Sequence, residues 1–112
     1  MKYVIAYDLG TGGIKTSIYG EDGVGIGFRF KAYDTSFPGE SMREQRPDTW
    51  WDAVRSTTRA LLSETGISPG NIAALAVSGH SLGAIPIGYN GQLLCEYVPI
   101  WSDSRATKEA EN

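Results

Sequence analysis

"YDLGTGGIKTSIYGEDG", Tyr7–Gly23, is the stretch on which the fold turns. An acid, Asp8, closes an apolar run, glycines crowd positions 10 to 13, and Lys15 opens a run that alternates. Upstream, Tyr3–Tyr7 reads "YVIAY", a short β-forming run of the kind that makes a buried strand. Downstream, Ile14, Thr16 and Ile18 alternate with Lys15, Ser17 and Tyr19, the period of a second strand. So tight a link makes the two antiparallel. "GEDG" at Gly20–Gly23 supplies a further turn, and Val24–Tyr33 reads as a third strand with Val24, Ile26, Phe28, Phe30 and Ala32 on one face.

Glycine-rich loops that hold phosphate come in several kinds, and two of them are excluded. A P-loop needs a Gly-Lys pair ahead of a helix, and no such pair occurs in the chain. A dinucleotide fingerprint needs a third glycine running into a helix, but Lys15 stands there and the following segment has a strand's period. What remains is a strand, a glycine hairpin and a strand. Glycines allow close backbone approach and leave amides able to face an anion. In such a loop Gly10, Thr11, Gly12, Gly13 and Lys15 are candidates for the phosphates of ATP. Asp8 is the candidate for Mg²⁺, which prefers oxygen ligands. The bare residues also fit a plain hairpin turn with a solvated lysine beside it.

Farther along, Asp34–Arg46 lacks periodicity and reads as a loop. Pro47 and Asp48 suit a helix's first turn. Trp50, Trp51, Val54, Thr58, Leu61 and Leu62 then follow helical spacing, and Gly66 is a natural stop. "SPGN", Ser68–Asn71, is a turn; Ile72–Val77, "IAALAV", reads as a buried strand, parallel to an earlier one. Ala84–Tyr89 and Gln92–Glu96 flank Asn90-Gly91, a hairpin signal. Tyr97–Trp101 is a last extended piece, and a helix is expected from about Ser104. The chain is therefore an α/β domain whose mixed sheet opens β-β-β-α-β.

Composition narrows the function. With 112 residues, 41% hydrophobic and 21% charged, one soluble domain is expected. A net charge of −3 without a basic patch argues against nucleic acid as a partner. One cysteine and one histidine make neither a disulfide nor a protein-ligated zinc site. No apolar run approaches membrane-spanning length, no membrane association is expected, and a cytoplasmic setting is the default.

Three segments, in order, resemble one family. D-x-G-T-x-x-x-K at Asp8–Lys15 resembles the first phosphate motif of the actin-like ATPase superfamily. "EQRPDTWWDAV", Glu44–Val54, is similar to the E-Q-x-P-x-x-W segment of FGGY carbohydrate kinases, and Ser78–Ala106 to their G-Q-x-x-G…W-x-D-x-R stretch. The xylulokinase-like branch is the nearest in kind. The resemblance implies a ribonuclease-H-like (actin-like ATPase) fold and ATP-dependent phosphorylation of a hydroxyl on a small sugar or polyol. It also implies that residues 1–112 form the N-terminal part of the first, sugar-side domain. The second, ATP-side domain and its catalytic aspartate are then expected beyond residue 112, the piece is expected to be inactive alone, and the longer protein can form a homodimer.

The resemblance puts the substrate near His80, Ser81, Leu82, Trp101, Asp103 and Arg105. Where many xylulokinases have Q-M-H this chain has His80-Ser81-Leu82, which leaves the substrate open. A glycerol kinase, a signalling-molecule kinase and a non-catalytic actin-like binding module are the alternatives. Trp101 offers a flat apolar face to a sugar and Asp103 an acceptor for hydroxyls, yet both also suit a core tryptophan beside a helix cap. Trp50 reads as packing, and Glu44 and Gln45 as lining a loop near the cleft.

Overall fold

A computed structural model describes residues 1–111. The three opening strands are β1 (Tyr3–Leu9), β2 (Gly13–Gly20) and β3 (Gly25–Ala32). After a connection that includes the two-residue strand β4 (Glu44–Gln45) comes helix α1 (Pro47–Thr65), then β5 (Ile72–Gly79). The four long strands form one sheet in the order β3-β2-β1-β5, with β1–β2 and β2–β3 antiparallel and β1–β5 parallel. Downstream lie β6 (Val98–Pro99), which pairs with β4, and α2 (Thr107–Glu111).

Helix α1 covers one face of the sheet. Pro47 opens it, and Gly66 ends it at φ +69°, its N–H donating to the Leu62 carbonyl at 3.0 Å. Ala53, Thr57 and Leu61 are buried against Ile5, Tyr7, Ile14 and Ile18. Two hydroxyl pairs stitch helix to sheet: Thr16 with Thr57 at 2.8 Å and Tyr7 with Thr58 at 2.6 Å. Because polar groups buried without partners are costly, the buried Thr16 and Thr57 hydroxyls satisfy each other where water is excluded.

The structure corrects several expectations. Strand β3 forms as expected, at Gly25–Ala32 within Val24–Tyr33, and Ile26, Phe28 and Phe30 share one face, which points away from α1 and is exposed. The side toward the helix carries Gly27, where an added Cβ would lie 3.4 Å from Leu61 Cδ2. Strand β5 was expected to be buried; it is an edge strand with Leu75 63% and Val77 69% exposed. No element among the described residues covers its outer flank. The segment expected as a loop, Asp34–Arg46, contains β4, and Tyr97–Trp101 shortens to β6. Around Asn90-Gly91 the turn forms, with Gly91 at φ +81° donating to Gly88 at 2.9 Å, but the flanking strands do not. A single bridge, Ile87 to Leu93, joins them. The last helix begins at Thr107, three residues after Ser104, whose carbonyl accepts from the Thr107 hydroxyl. Trp51 points outward, 61% exposed. Among the described residues no helix is long and apolar enough to cross a membrane.

Candidate functional site

The bend after β1 is a hairpin, and β2 leaves it as a strand. Parallel pairing brings the ends of β1 and β5 together, so Leu9 lies opposite Gly79 and the His80 N–H donates to the Leu9 carbonyl at 3.0 Å. That approach requires glycine. At φ +143°, a Cβ on Gly79 would sit 2.3 Å from the Leu9 carbonyl oxygen. The phosphate-loop candidates and the segment from His80 thus share one end of the sheet.

Asp8 is exposed, opposite Lys15 on β2 and Ser78 on β5. The three line a shallow depression of about 300 Å³ on the sheet face away from α1, together with Ala6, Ser17 and Tyr19. The Lys15 ammonium lies 5.8 Å from the Phe28 ring centroid.

The loop's backbone is ordered by its carbonyls. The Tyr33 hydroxyl donates to the Gly10 carbonyl, Gln45 Nε2 to that of Thr11 at 2.6 Å, and the Tyr33 N–H to that of Gly12 at 3.3 Å. The Gly10 N–H closes the turn onto the Gly13 carbonyl at 3.0 Å. The Thr11 and Gly12 N–H groups donate to nothing among the described residues. Burial, helped by the charge of Asp8, pushes the Tyr33 phenol up to about 12.

His80 is half-buried at the end of β5, its ring stacked on Trp50 at 4.8 Å between centroids and on Tyr33 at 6.5 Å. Its Nε2 is buried without a partner among the described residues. Burial lowers its pKa, while the Gly10 backbone pulls the other way. Ser81 is exposed, and Leu82 is 88% exposed at φ +59°, a backbone region a branched side chain seldom adopts.

On the other flank, Trp101 is 58% exposed. Asp103 is not open in the same way. Arg105 Nε reaches both its oxygens at 2.9 Å, the Arg105 N–H donates to Oδ1 at 3.1 Å and the Arg43 N–H to Oδ2 at 2.7 Å. Arg105 also pairs with Glu44 at 2.8 Å. The Arg105 guanidinium holds the Asp103 carboxyl well below the usual carboxylate range, the two N–H groups add to this, and burial opposes it. Strand β4 connects these parts: Gln45 grips the glycine-rich hairpin at Thr11, while Glu44 beside it grips Arg105.

Reading the residues alone missed Tyr33, the grip of Gln45 and the polar role of Trp50, whose indole N–H donates to Gln45 Oε1 at 2.9 Å. The signal available was the Gln45–Trp50 spacing across the entrance to α1.

Residues 3–112 match the model for the N-terminal domain of the FGGY family of carbohydrate kinases. The chain belongs to that family. This FGGY domain is 25% identical, over its whole length, to a xylulose kinase of Staphylococcus xylosus, of which it spans 23%. It superposes on a crystallised xylulose kinase from Brucella ovis with a TM-score of 0.91 at 28% identity, covering 97% of this chain and 23% of that one. On a gluconate kinase from Lactobacillus acidophilus the TM-score is 0.88 at 27% identity, with 98% and 22% covered. The fold is the ribonuclease-H-like, actin-like ATPase fold of these sugar kinases. The FGGY domain spans less than a quarter of the length of the relatives it matches.

Proposed function

We propose that this chain is the sugar-side N-terminal part of an ATP-dependent kinase that phosphorylates a hydroxyl of a small sugar or polyol, with a xylulose-like ketose as the leading acceptor. One observation carries the reading: a hairpin between two sheet strands presents the unbonded amides of Thr11 and Gly12 at the sheet end where Asp8 and Lys15 are exposed. In this reading those amides, the Thr11 hydroxyl and the Lys15 ammonium hold phosphate oxygens.

The residues fit a magnesium ion as partner to the nucleotide. Among the described residues there is no cluster of three or more His, Cys, Asp or Glu that could hold a metal, and Asp8 is an exposed carboxylate beside the loop. Mg²⁺ suits such a place, since it takes one or two carboxylates and fills the rest with water and phosphate oxygens. When bound, the ion supplies positive charge to the phosphates.

On the acceptor side, Trp101 offers an exposed ring to the C–H face of a sugar, with Asp103 and Arg105 acting as the frame that fixes its segment. His80 and Ser81 provide polar groups, and Leu82 makes this wall less polar than a histidine would. Removal of the acceptor proton is assigned to an aspartate outside this chain, and a cytoplasmic setting goes with the reading.

The test is ATP consumption by the full-length protein carrying this chain, offered xylulose, ribulose, gluconate and glycerol. One of these is expected to drive turnover. Asp8→Ala is expected to lower kcat/KM by about 10²–10³-fold, the scale of losing one preorganised electrostatic contact. Asp8 is exposed, so the fold is expected to survive. Normal turnover in Asp8→Ala refutes the metal role, and silence toward every acceptor refutes the sugar reading.

A further inference from the structure

The phosphate-site reading rests on amides that face outward, and a glycine-rich loop has no intrinsic reason to hold them there. Gly10, Thr11 and Gly12 give three consecutive carbonyls, and each is taken by a donor from elsewhere: the Tyr33 hydroxyl, Gln45 Nε2 and the Tyr33 N–H. In a planar trans peptide the carbonyl of one residue and the N–H of the next point to opposite sides. Fixing the Gly10 and Thr11 carbonyls therefore turns the Thr11 and Gly12 N–H groups the other way. Those two amides are the ones without partners.

The Gln45 amide could in principle present either end to the loop. Trp50 decides it. An indole N–H only donates, so it selects Oε1 of Gln45 and leaves Nε2 for the Thr11 carbonyl and the Thr35 hydroxyl, at 2.6 and 2.8 Å. Gln45 has no exposed surface, so water does not compete for these bonds. Trp50 is itself held by its stack on His80.

We propose that Gln45 and Tyr33 are positioning residues of the phosphate loop, with Trp50 setting the orientation of Gln45. They touch no phosphate. They hold the peptide planes in the orientation that lets Thr11 and Gly12 bind one. This deepens the kinase reading and depends on it.

The test uses the ¹⁵N-labelled protein, titrated with inorganic triphosphate and Mg²⁺ and read at each backbone amide. The wild type is expected to show its largest shifts at Thr11 and Gly12. Gln45→Met keeps the side chain's length but has no donor; Tyr33→Phe removes one hydroxyl. Each is expected to weaken binding roughly three- to tenfold, the value of one hydrogen bond. Each is also expected to move the Thr11 and Gly12 amide resonances in the free protein while those of β5 stay in place. A purely structural role would not produce that localised pattern. If Gln45→Met does not fold, Tyr33→Phe decides alone. Wild-type response at Thr11 and Gly12 with undiminished binding by the folded variants overturns this inference and leaves the phosphate site standing. No wild-type response at those amides overturns both.

Discussion

Gly12 and Gly13 are neighbours in the loop, yet replacing each by alanine tests a different part of the argument. A Cβ on Gly12 meets no heavy atom within 4 Å. A Cβ on Gly13 lands 2.5 Å from the Lys31 carbonyl oxygen, 2.6 Å from Phe30 Cζ and 2.9 Å from Ala32 Cα. Two of those three atoms are backbone of β3, so the strand itself must shift. Overpacking of this kind costs about 1–3 kcal/mol. At about 2 kcal/mol, and about 4 °C per kcal/mol for a domain of this size, Gly13→Ala is expected to lower Tm by about 8 °C. Gly12→Ala is expected to stay within about 0.5 kcal/mol of wild type, as for an exposed substitution. Its methyl group stands on the open side of the loop, where a phosphate is proposed to lie, so triphosphate binding is expected to fall while the fold remains. Thermal unfolding followed by circular dichroism measures the first effect, and the amide titration with triphosphate and Mg²⁺ measures the second. A Gly13→Ala protein as stable as wild type refutes the β2–β3 register. A Gly12→Ala protein that binds triphosphate normally refutes the loop as the phosphate site.

Two further outcomes follow from charge. Asp103 has a folded-state pKa below its unfolded value, so its contribution to stability is present above about pH 4 and drains away as pH falls below that toward the folded value. Urea unfolding across this range is expected to show that loss in wild type and a flatter profile in Asp103→Asn; identical profiles refute the clamp. His80 is also lowered, by burial first, so its neutral form is favoured on folding and its contribution is lost as pH falls from about 6.5 through the folded midpoint. Its ring-proton resonance is expected to titrate with a midpoint below about 6.5, and a midpoint above that value refutes the buried stack on Trp50.

Much of the fold was legible because its signals are local. Ile14, Thr16 and Ile18 alternate, and all three are fully buried beneath α1. Pro47 and Gly66 bound the helix as helix punctuation should. Direction was less legible than existence. The apolar alternation of β3 announced a strand, but packing settled which face met the helix, and Gly27 lets Leu61 come close where Phe28 could not. The apolar run of β5 implied cover on both faces, as in most parallel sheets. As the edge strand of this sheet it leaves Leu75 and Val77 open beside Tyr7, Leu9, Trp51 and Val54, in an apolar groove of about 460 Å³. Asn90-Gly91 turned as its dipeptide demands, but two strands with no third to lean on gain too little to form a ladder.

The site was legible in a different proportion, and the reason is the reach of its hydrogen bonds. Asp8, Gly10, Thr11 and Lys15 fall within one short motif, so their company could be read directly. What orders them comes from far along the chain: Tyr33 lies 23 residues from Gly10, and Gln45 lies 34 from Thr11. On the acceptor flank, the Arg43 N–H meets Asp103 across 60 residues. Such pairs leave no periodic trace, because each donor matters only where the topology delivers it. Asp103 shows the consequence. Two residues after Trp101 in a W-x-D-x-R segment, it reads as an acceptor for sugar hydroxyls, and in the structure its oxygens are engaged by Arg105 and Arg43. A carboxylate so engaged gives up strong, charge-assisted bonds to take a neutral hydroxyl, an unfavourable exchange. On the sugar-kinase reading proposed above, recognition on this flank is assigned to the exposed face of Trp101, with Asp103 and Arg105 ordering the segment that follows it.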